Sequence, residues 1–244
     1  YRLLSSRLQC IWLTEIVRRN YPEYTCGRHY LIETMVSCRE VVKEMHTCLF
    51  KAPWSGSGKG LNWCRCGFTK NLSDWCERVI KEQGYLVAEP IYDKVEDFAI
   101  EFYSDGYGKV LFAGYSLFST NGRGAYAGNV LVSDKWVEEW IEQYIPLTEL
   151  IRIRECLQSN LATAYGDFYT GYLGVDMMVC RRNSGRRYVI YPCVEINMRM
   201  NMGVVSRLFY DNFVLPGNTG RFNIEYFPTN EALRAQHEQD MREF

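Results

Sequence analysis

The sequence has almost no net charge and very little histidine. Across 244 residues, 28 Lys and Arg offset 29 Asp and Glu, which leaves a formal charge of −1. A chain so near neutrality has no dominant electrostatic attraction for nucleic acid or for an anionic membrane. The three histidines (His29, His46 and His237) lie outside both motifs described below. Hydrolases built on Cys-His or Ser-His pairs are therefore disfavoured.

Long apolar runs, internal repeats and low-complexity segments are also lacking. No stretch approaches the roughly 18 consecutive apolar residues of a membrane-spanning helix, and no small-residue cleavage site follows Tyr1. We therefore expect a cytoplasmic protein that does not bind membranes. The 47% hydrophobic content and the length fit one large domain or two small ones.

Cysteine, in contrast, is plentiful. Ten cysteines are scattered through apolar segments of a long chain, which is typical of buried free thiols rather than of a small disulfide-rich domain. Cys64, Cys66 and Cys76 suggest a zinc site, but C-x-C is not the usual ligand spacing and no His follows closely. We predict that most of the cysteines belong to the core.

Hydrophobic periodicity predicts helices alternating with β-hairpins. Apolar residues recur at helical spacing over 3–19. Asp105-Gly106 lies between two β-rich segments, which is a strong hairpin signal, and the short loop between strands 172–180 and 188–199 makes that pair antiparallel. This arrangement favours an α+β protein of two lobes over a doubly wound sheet. Further helices are predicted over 37–46, 133–143 and 146–166, and another after Gly203. One more predicted helix is capped by Ser73 or Asp74 and ends at Gly84, and a last strand covers 221–227.

The first motif is a strand that runs into a glycine-rich loop. Lys51 lies near the end of the predicted strand 47–52, and the loop covers 55–60. Glycine lets backbone N–H groups approach a phosphate closely, and lysine balances phosphate charge. The loop is not a P-loop, because Gly60 stands where Ser or Thr is required, and its glycine spacing excludes the kinase loop. A flexible surface turn is the alternative interpretation.

The second motif groups oxygen ligands on a hairpin. Strand alternation places Glu195, Asn197 and Arg199 on one face. If the hairpin closes directly, Asp176 lies across from Glu195 at about 5 to 8 Å, and a bulge at Pro192 would alter the register. Two carboxylates and an amide oxygen suit Mg²⁺. An acidic, solvated sheet face is the alternative.

In their order along the chain, four motifs resemble those of the ATP-grasp superfamily. They are Lys51-Ala-Pro-Trp-Ser-Gly-Ser-Gly-Lys-Gly, Leu86-Val87-Ala88-Glu89, Gly-Val-Asp176 and Glu195-Ile-Asn197-Met-Arg199. The resemblance covers nearly the whole chain and implies two α+β lobes with antiparallel sheets and a nucleotide cleft between them. It implies a small lobe over 35–90 and a large lobe over 91–244. Residues 1–34 would then be a helical segment left from a region that precedes the fold in the family.

The resemblance also implies roles for individual residues. Lys51 would contact phosphate and adenine, the loop would cover the β and γ phosphates, Glu89 would belong to the adenine hinge, and Asp97 or Glu101 would lie on the ribose side. Arg199 and Lys51 would act in catalysis by balancing the charge of the transferring phosphate. The implied nucleotide-binding residues are Lys51, Ser55, Gly56, Ser57, Gly58, Lys59, Gly60, Glu89 and Asp97, and the implied metal ligands are Asp176, Glu195 and Asn197.

The activity implied by the resemblance is that of an ATP- and Mg²⁺-dependent ligase, with Mn²⁺ as an alternative ion. Such an enzyme joins a carboxylate to an amine through an acyl phosphate and so forms a C–N bond between small molecules. The resemblance implies no nucleic acid or membrane partner, and it is compatible with a homo-oligomer. Gly174 departs from the pattern, because ligases of the D-alanine type carry Arg there. The alternatives are a nucleotide-binding regulatory or assembly module without turnover and a phosphotransferase of the same fold.

Overall fold

The structure is a computed structural model that describes residues 2–55, 60–120, 126–225 and 227–243. Within these ranges the chain forms helices packed on two antiparallel sheets. The helices are α1 (Arg7–Asn20), α2 (Met35–Met45), α3 (Lys70–Gln83), α4 (Asp134–Glu142), α5 (Leu147–Tyr165), α6 (Met202–Phe213) and α7 (Asn230–Glu243). The strands are β1 (Tyr30–Ile32), β2 (Cys48–Lys51), β3 (Leu61–Cys64), β4 (Leu86–Pro90), β5 (Asp93–Asp105), β6 (Val110–Thr120), β7 (Tyr126–Leu131), β8 (Thr170–Arg181), β9 (Tyr188–Asn197) and β10 (Gly220–Asn223).

The smaller sheet has the strand order β1-β4-β2-β3. Helices α2 and α3 share its core, which contains Phe50 and Leu86. The predicted cap of α3 at Ser73 or Asp74 is wrong: Thr69 caps the helix and accepts a hydrogen bond from Leu72 N at 3.3 Å. Gly84 ends the helix as predicted, with φ +90°.

The larger sheet has the strand order β10-β7-β6-β5-β8-β9. Because side chains alternate along a strand, Phe98, Ile100 and Phe102 of β5 all point to the same face, where they pack in a core with α1, α4 and α5. The intervening residues of β5, among them Asp97 and Glu101, therefore face the opposite side, where no helix of that core lies. The predicted last strand ends early, because β10 stops at Asn223.

The hairpin of β8 and β9 confirms the predicted register. Asp176 lies directly opposite Glu195. The register then shifts, since Met178 pairs with Tyr191, and the extra residues include Pro192. The bulge therefore falls where proline cannot contribute a ladder hydrogen bond.

The two sheets are joined covalently by the short segment between β4 and β5. An isolated parallel bridge joins Thr25, in the segment between α1 and β1, to Ile190 of β9 in the larger sheet. Helix α1 packs on the larger sheet, whereas β1 belongs to the smaller one, and the division at residues 34 and 90 stays a prediction. None of the helices in the described ranges combines the length and apolar character that a membrane span needs.

Candidate active site

A cavity of about 340 Å³ lies between the two sheets. Lys51 and Glu89 line it from the smaller sheet. Asp97, Asp176 and Glu195 line it from the larger sheet. The structure thus brings Lys51 of the first motif and Asp176 and Glu195 of the second, which are more than a hundred residues apart in sequence, to one cavity.

Lys51 and Glu89 form a buried ion pair on the adjacent strands β2 and β4. Lys51 Nζ lies 2.7 Å from Glu89 Oε2, and the two side chains are only 3% and 5% exposed. His29 Nε2 lies 3.5 Å from Glu89 Oε1 and 2.5 Å from the Tyr191 hydroxyl. Burial lowers the pKa of His29, so its imidazole is neutral at pH 7. The single lysine charge therefore balances the single carboxylate.

This partner changes what Lys51 offers to a ligand. The sequence motif predicted a lysine available for phosphate, and the family resemblance implied that Glu89 is part of an adenine hinge. In the structure both side chains face each other at the cavity wall. Their proposed contacts with a nucleotide remain predictions, and any such contact would be made by a pair that already compensates its own charge.

The opposite wall concentrates carboxylates. Asn197 Nδ2 donates to Asp176 Oδ2 at 3.0 Å. Burial, followed by the charges of Glu195 and Glu101, raises the pKa of Asp176 well above its ordinary value. Bringing carboxylates together in this way is unfavourable without a cation, and a bound cation would relieve the repulsion.

The donor set fits magnesium. In the part of the chain that the structure describes, no three His, Cys, Asp or Glu side chains are grouped closely enough to hold a metal on their own. The candidate ligands are the oxygens of Asp176, Glu195 and Asn197, which lie on paired positions of β8 and β9. Mg²⁺ commonly uses one or two protein carboxylates and takes its other ligands from phosphates and water.

Arg7 of α1 is a site residue that the sequence reasoning missed. Its side chain is 7% exposed, and its Nη2 lies 3.7 Å from Glu195 Oε1. Its Nε also donates to the carbonyl oxygen of Ala52 at 3.0 Å. Arg7 therefore connects the end of β2 with the carboxylate wall. A signal was present, because Arg7 shares the buried face of α1 with Cys10 and Thr14 at three- and four-residue spacing.

The glycine loop is described only at its ends. Ser55 and Gly60 line a separate depression beside Trp54. Gly60 accepts a hydrogen bond from Ala52 N at 2.8 Å, and a Cβ at Gly60 would lie 2.1 Å from Ser55 Oγ, so a side chain does not fit there. The remaining predicted loop residues, Gly56, Ser57, Gly58 and Lys59, lie outside the described residues.

Asp97 and Glu101 face different spaces. Asp97 lines the larger cavity, accepts from Thr120 Oγ1 at 2.8 Å and pairs with Lys94. Glu101 lines a second cavity of about 150 Å³. Asn201 Nδ2 donates to Glu101 Oε2 at 2.8 Å. Of the two residues expected on the ribose side, only Asp97 lines the larger cavity.

Glu101 is a buried acid with unused hydrogen-bonding capacity. Its Oε1 has no hydrogen-bond partner among the residues described. Burial raises the pKa of Glu101 to about 7, although the bond from Asn201 opposes this rise. Arg199 follows β9, is exposed and lines the same second cavity, and no described residue forms an ion pair with it. Asp176 and Glu195 line both cavities, so the two spaces meet at the carboxylate wall.

Comparison with solved structures identifies the fold. The chain is similar to N5-carboxyaminoimidazole synthetase from Staphylococcus aureus complexed with ADP, with a TM-score of 0.60 and 10% identity over 97% of this chain and 61% of that chain. It is also similar to the biotin carboxylase domain of 2-oxoglutarate carboxylase from Hydrogenobacter thermophilus, with a TM-score of 0.53 and 16% identity over 81% of this chain and 42% of that one. The chain has the ATP-grasp fold, as its four motifs predicted.

A third similar structure is pyruvate carboxylase from Rhizobium etli, with a TM-score of 0.57 and 14% identity over 84% of this chain and 16% of that chain. The chain spans 61% or less of each of these three structures. No protein-family model matches the sequence, and comparison with curated proteins finds no match.

Proposed function

We propose that this chain binds ATP with Mg²⁺ in the cavity between its sheets and forms the nucleotide- and metal-binding part of a ligase. The ligase would join a carboxylate to an amine through an acyl phosphate. The observation that carries the proposal is the single cavity lined by Lys51 and Glu89 on one wall and by Asp176 and Glu195 on the other. Its volume lies in the range of about 300–1,000 Å³ that is usual for ligand pockets.

The nucleotide would lie along the larger cavity. Its base would contact the strand end at Glu89, and Asp97 would accept hydrogen bonds from ribose hydroxyls. Lys51 would approach the phosphates while remaining paired with Glu89. The loop 55–60 is proposed to cover the terminal phosphates, on the sequence argument alone.

Asp176, Glu195 and Asn197 would hold the magnesium ion, with Mn²⁺ as the alternative. When bound, the ion supplies charge neutralisation at the phosphate oxygens. Arg7 also lines this cavity, and its Nη2, 3.7 Å from Glu195 Oε1, would help to orient that carboxylate. Because the ion would reduce the repulsion between Asp176 and Glu195, metal and nucleotide binding would support each other.

The second cavity is the proposed place for the carboxylate that is activated. Arg199 forms no ion pair with any described residue and offers its guanidinium group there, which suits a carboxylate or a transferring phosphate. The cavity meets the nucleotide cavity at the carboxylate wall, so a phosphate held by the metal would be near the acid. The Hydrogenobacter thermophilus structure contains MgADP together with bicarbonate, which supports a site of this ligand class.

Calorimetry with MgATP, followed by a coupled phosphate-release assay over candidate acids and amines, tests the proposal. The variant Glu195→Gln with Asn197→Ala is expected to lose Mg²⁺-dependent nucleotide binding and turnover. Glu142→Gln, a change at an exposed position of α4, is the matched control and should behave like the wild type. Full activity in the double variant would show that the metal assignment is wrong.

A nucleotide-binding module without turnover is the second candidate, and Gly174 favours it. A Cβ at Gly174 would lie 2.1 Å from Asn201 Nδ2 and 2.6 Å from Glu101 Oε2. The site therefore has no room for the arginine that one ligase branch carries at this position. Tight MgATP binding without substrate-dependent phosphate release would support the module, and a stable phosphorylated product would indicate a phosphotransferase.

A further inference from the structure

A third cavity, of about 260 Å³, is lined by arginine without carboxylates. Its cationic residues are Arg18, Arg28, Arg181 and Arg182, and none of the described residues that line it is Asp or Glu. We call it the arginine cavity. The larger cavity, in contrast, has as many carboxylates as cations in its lining, four of each. Because the whole chain has a formal charge of −1, this local excess of positive charge does not result from a basic composition.

Four separate segments of the chain form the arginine cavity. They are the end of α1, the segment between α1 and β1, the connection between β4 and β5, and the part of the β8 and β9 hairpin next to its turn. Buried residues contribute to the lining, since Thr25 and Val189 are 2% and 0% exposed. Cys26 N donates to the Ile190 carbonyl oxygen and Ile190 N to the Tyr24 carbonyl oxygen, both at 2.8 Å. These backbone bonds hold the first part of the chain against β9, so the cavity belongs to the fold itself.

The hairpin of β8 and β9 has four arginines near its turn, and they occupy two kinds of position. Arg186 and Arg187 lie over tyrosine rings, with Cζ 4.3 and 5.1 Å from the ring centroids, which is a favourable cation–π arrangement. Arg181 and Arg182 line the cavity instead. Ring stacking therefore explains the first two arginines but not the second two.

The guanidinium groups of the arginine cavity remain available to a ligand. Arg182 forms no ion pair with any described residue, and Arg18, Arg28 and Arg181 each pair with one carboxylate, at 2.8, 3.0 and 3.6 Å. None of these three carboxylates lines the cavity. Exposed ion pairs of this kind contribute little to stability. The like charges around the cavity repel one another, and a bound anion would relieve that repulsion.

We propose that the arginine cavity binds the phosphate group of a small phosphorylated compound. A guanidinium group presents paired N–H donors that match phosphate oxygens, and a phosphate monoester carries nearly two negative charges at pH 7. All four cations are arginine and none is lysine, which favours such two-pronged contacts. The volume lies just below the range of about 300–1,000 Å³ that is usual for ligand pockets, so the compound is small.

Tyr92 adds a neutral donor and connects the arginine cavity with the larger one. Its hydroxyl accepts a hydrogen bond from Arg28 N at 2.9 Å, so it can still donate its own proton to a phosphate oxygen. Tyr92 lines both cavities, whereas Asp176 and Glu195 do not line the arginine cavity. A compound bound there is therefore not placed to react, and it acts as an effector. Contact with Tyr92 would link its binding to that of the nucleotide. Only this link rests on the proposed function; the phosphate site does not.

Equilibrium dialysis with radiolabelled inorganic phosphate tests the site in the nucleotide-free protein. The wild type is compared with Arg28→Gln plus Arg182→Gln, which should lower phosphate affinity about tenfold or more. The control is Arg39→Gln plus Arg234→Gln, which removes the same charge from exposed positions of α2 and α7 and should bind phosphate like the wild type. Because all four replaced side chains are exposed, the three proteins should have similar melting temperatures.

Two results of the dialysis would overturn the phosphate site. One is the absence of saturable phosphate binding by the wild type, and the other is equal affinity in the two variants. Competition then tests the chemical class of the ligand. Glycerol 3-phosphate should displace the labelled phosphate from the wild type, and the same concentration of acetate should not. Equal displacement by acetate would contradict a site for phosphate.

The link to the larger cavity is measured by calorimetry with Mg²⁺ and a non-hydrolysable ATP analogue. Inorganic phosphate should change the affinity for the analogue by about fivefold or more in the wild type and the control, and should leave it unchanged in Arg28→Gln plus Arg182→Gln. An equal effect in all three proteins would mean direct competition in the larger cavity and would refute the link. Failure of the analogue to bind any of them would overturn the proposed function and the link with it, while the dialysis would still decide the phosphate site.

Discussion

Lys51 and Glu89 form an almost completely buried ion pair. Replacing one member should change the stability of the protein differently from replacing both. Lys51→Ala would leave the Glu89 carboxylate in the protein interior without its partner. Breaking a buried pair in this way costs about 3–5 kcal/mol. We expect a loss of this size in the free energy of unfolding, measured by urea denaturation.

The double variant Lys51→Met with Glu89→Gln separates stability from binding. Replacing both members of a buried pair is often neutral for stability, so its unfolding free energy should stay near that of the wild type. Its affinity for MgATP should fall about tenfold or more, equivalent to about 1.4 kcal/mol. An unchanged affinity in a folded double variant would exclude Lys51 from phosphate binding.

Glu101 predicts a pH dependence of stability with a definite sign. Burial raises the pKa of Glu101 to about 7, whereas an unfolded chain releases this proton near pH 4.3. Between these values the folded state binds more protons, so its stability is full below about pH 4 and falls as the pH rises through 7.

The variant Glu101→Gln should lack this dependence while its amide oxygen keeps the bond from Asn201. The difference in stability between variant and wild type is expected to change by on the order of 3 kcal/mol, in favour of the variant, from pH 4 to pH 8. Using the difference cancels the opposite contribution of His29, whose lowered pKa reduces stability below about pH 6.5. If the stability of the two proteins changed in parallel with pH, Glu101 would not be the source of the pH dependence.

Asp176 predicts a conflict between stability and function. Its raised pKa shows that the charged carboxylate is unfavourable in the free protein. Asp176→Asn should therefore raise the melting temperature without ligand, by about 2–4 °C per kcal/mol, and lower Mg²⁺-dependent nucleotide binding. A thermal scan and a magnesium titration measure the two effects, and a variant that gained stability with unchanged magnesium dependence would remove Asp176 from the metal site.

Single residues of the site were predictable when they lay on one hairpin. The short loop fixes the β8 and β9 pairing, so the position of Asp176 opposite Glu195 follows from the sequence and is confirmed. The partner of Lys51 was not predictable, because β2 pairs with β4 across an intervening strand and helix. The position of Arg7 depends in the same way on which sheet receives α1.

At the scale of elements, α1 contributes to the site through its first turn. Arg7→Met keeps the aliphatic volume but removes the hydrogen bond to Ala52 O and the charge beside Glu195. We expect a loss of about 1–3 kcal/mol in unfolding free energy and weaker magnesium dependence of nucleotide binding. Urea denaturation and calorimetry measure these effects.

Arg19→Met, at an exposed position near the end of the same helix, is the matched control. It should leave both stability and nucleotide binding within error of the wild type. Equal stability and equal nucleotide binding in the two variants would mean that the Arg7 side chain contributes to neither property.

Element boundaries show where local signals compete. Thr69 and Ser73 are both good N-cap residues, and the sequence offers no local reason to prefer the first. The helix starts at Lys70 because this start lets Leu72, Cys76 and Val79 all reach the core. Strands β1 and β3, of three and four residues, were not predicted, because their length is too short to show alternation.

At the scale of the whole molecule, ligand binding should raise stability. A ligand that binds only the folded protein adds about 2.7 kcal/mol at a concentration of 100 times its Kd. For a chain of this size each kcal/mol corresponds to about 2–4 °C. MgATP at that concentration should therefore raise the melting temperature by roughly 5–10 °C. ATP with EDTA should have a smaller effect, and equal shifts with and without magnesium would contradict a shared metal and nucleotide site.

The two-sheet architecture could be predicted only through the order of the four motifs. Hairpins identify neighbouring strands, but the order β1-β4-β2-β3 pairs strands that are not consecutive. No periodicity in the sequence encodes how the two sheets face each other. The resemblance supplied that arrangement, and the cavity between the sheets is consistent with it.

The covalent connection between the sheets is very short, and it forms part of the cavity wall. Pro90, Ile91 and Tyr92 line the space in which a nucleotide is proposed to bind. A ligand seated there would touch this connection directly. Any change in the angle between the sheets would then change the contacts of the ligand, so affinity and angle would be linked through one equilibrium.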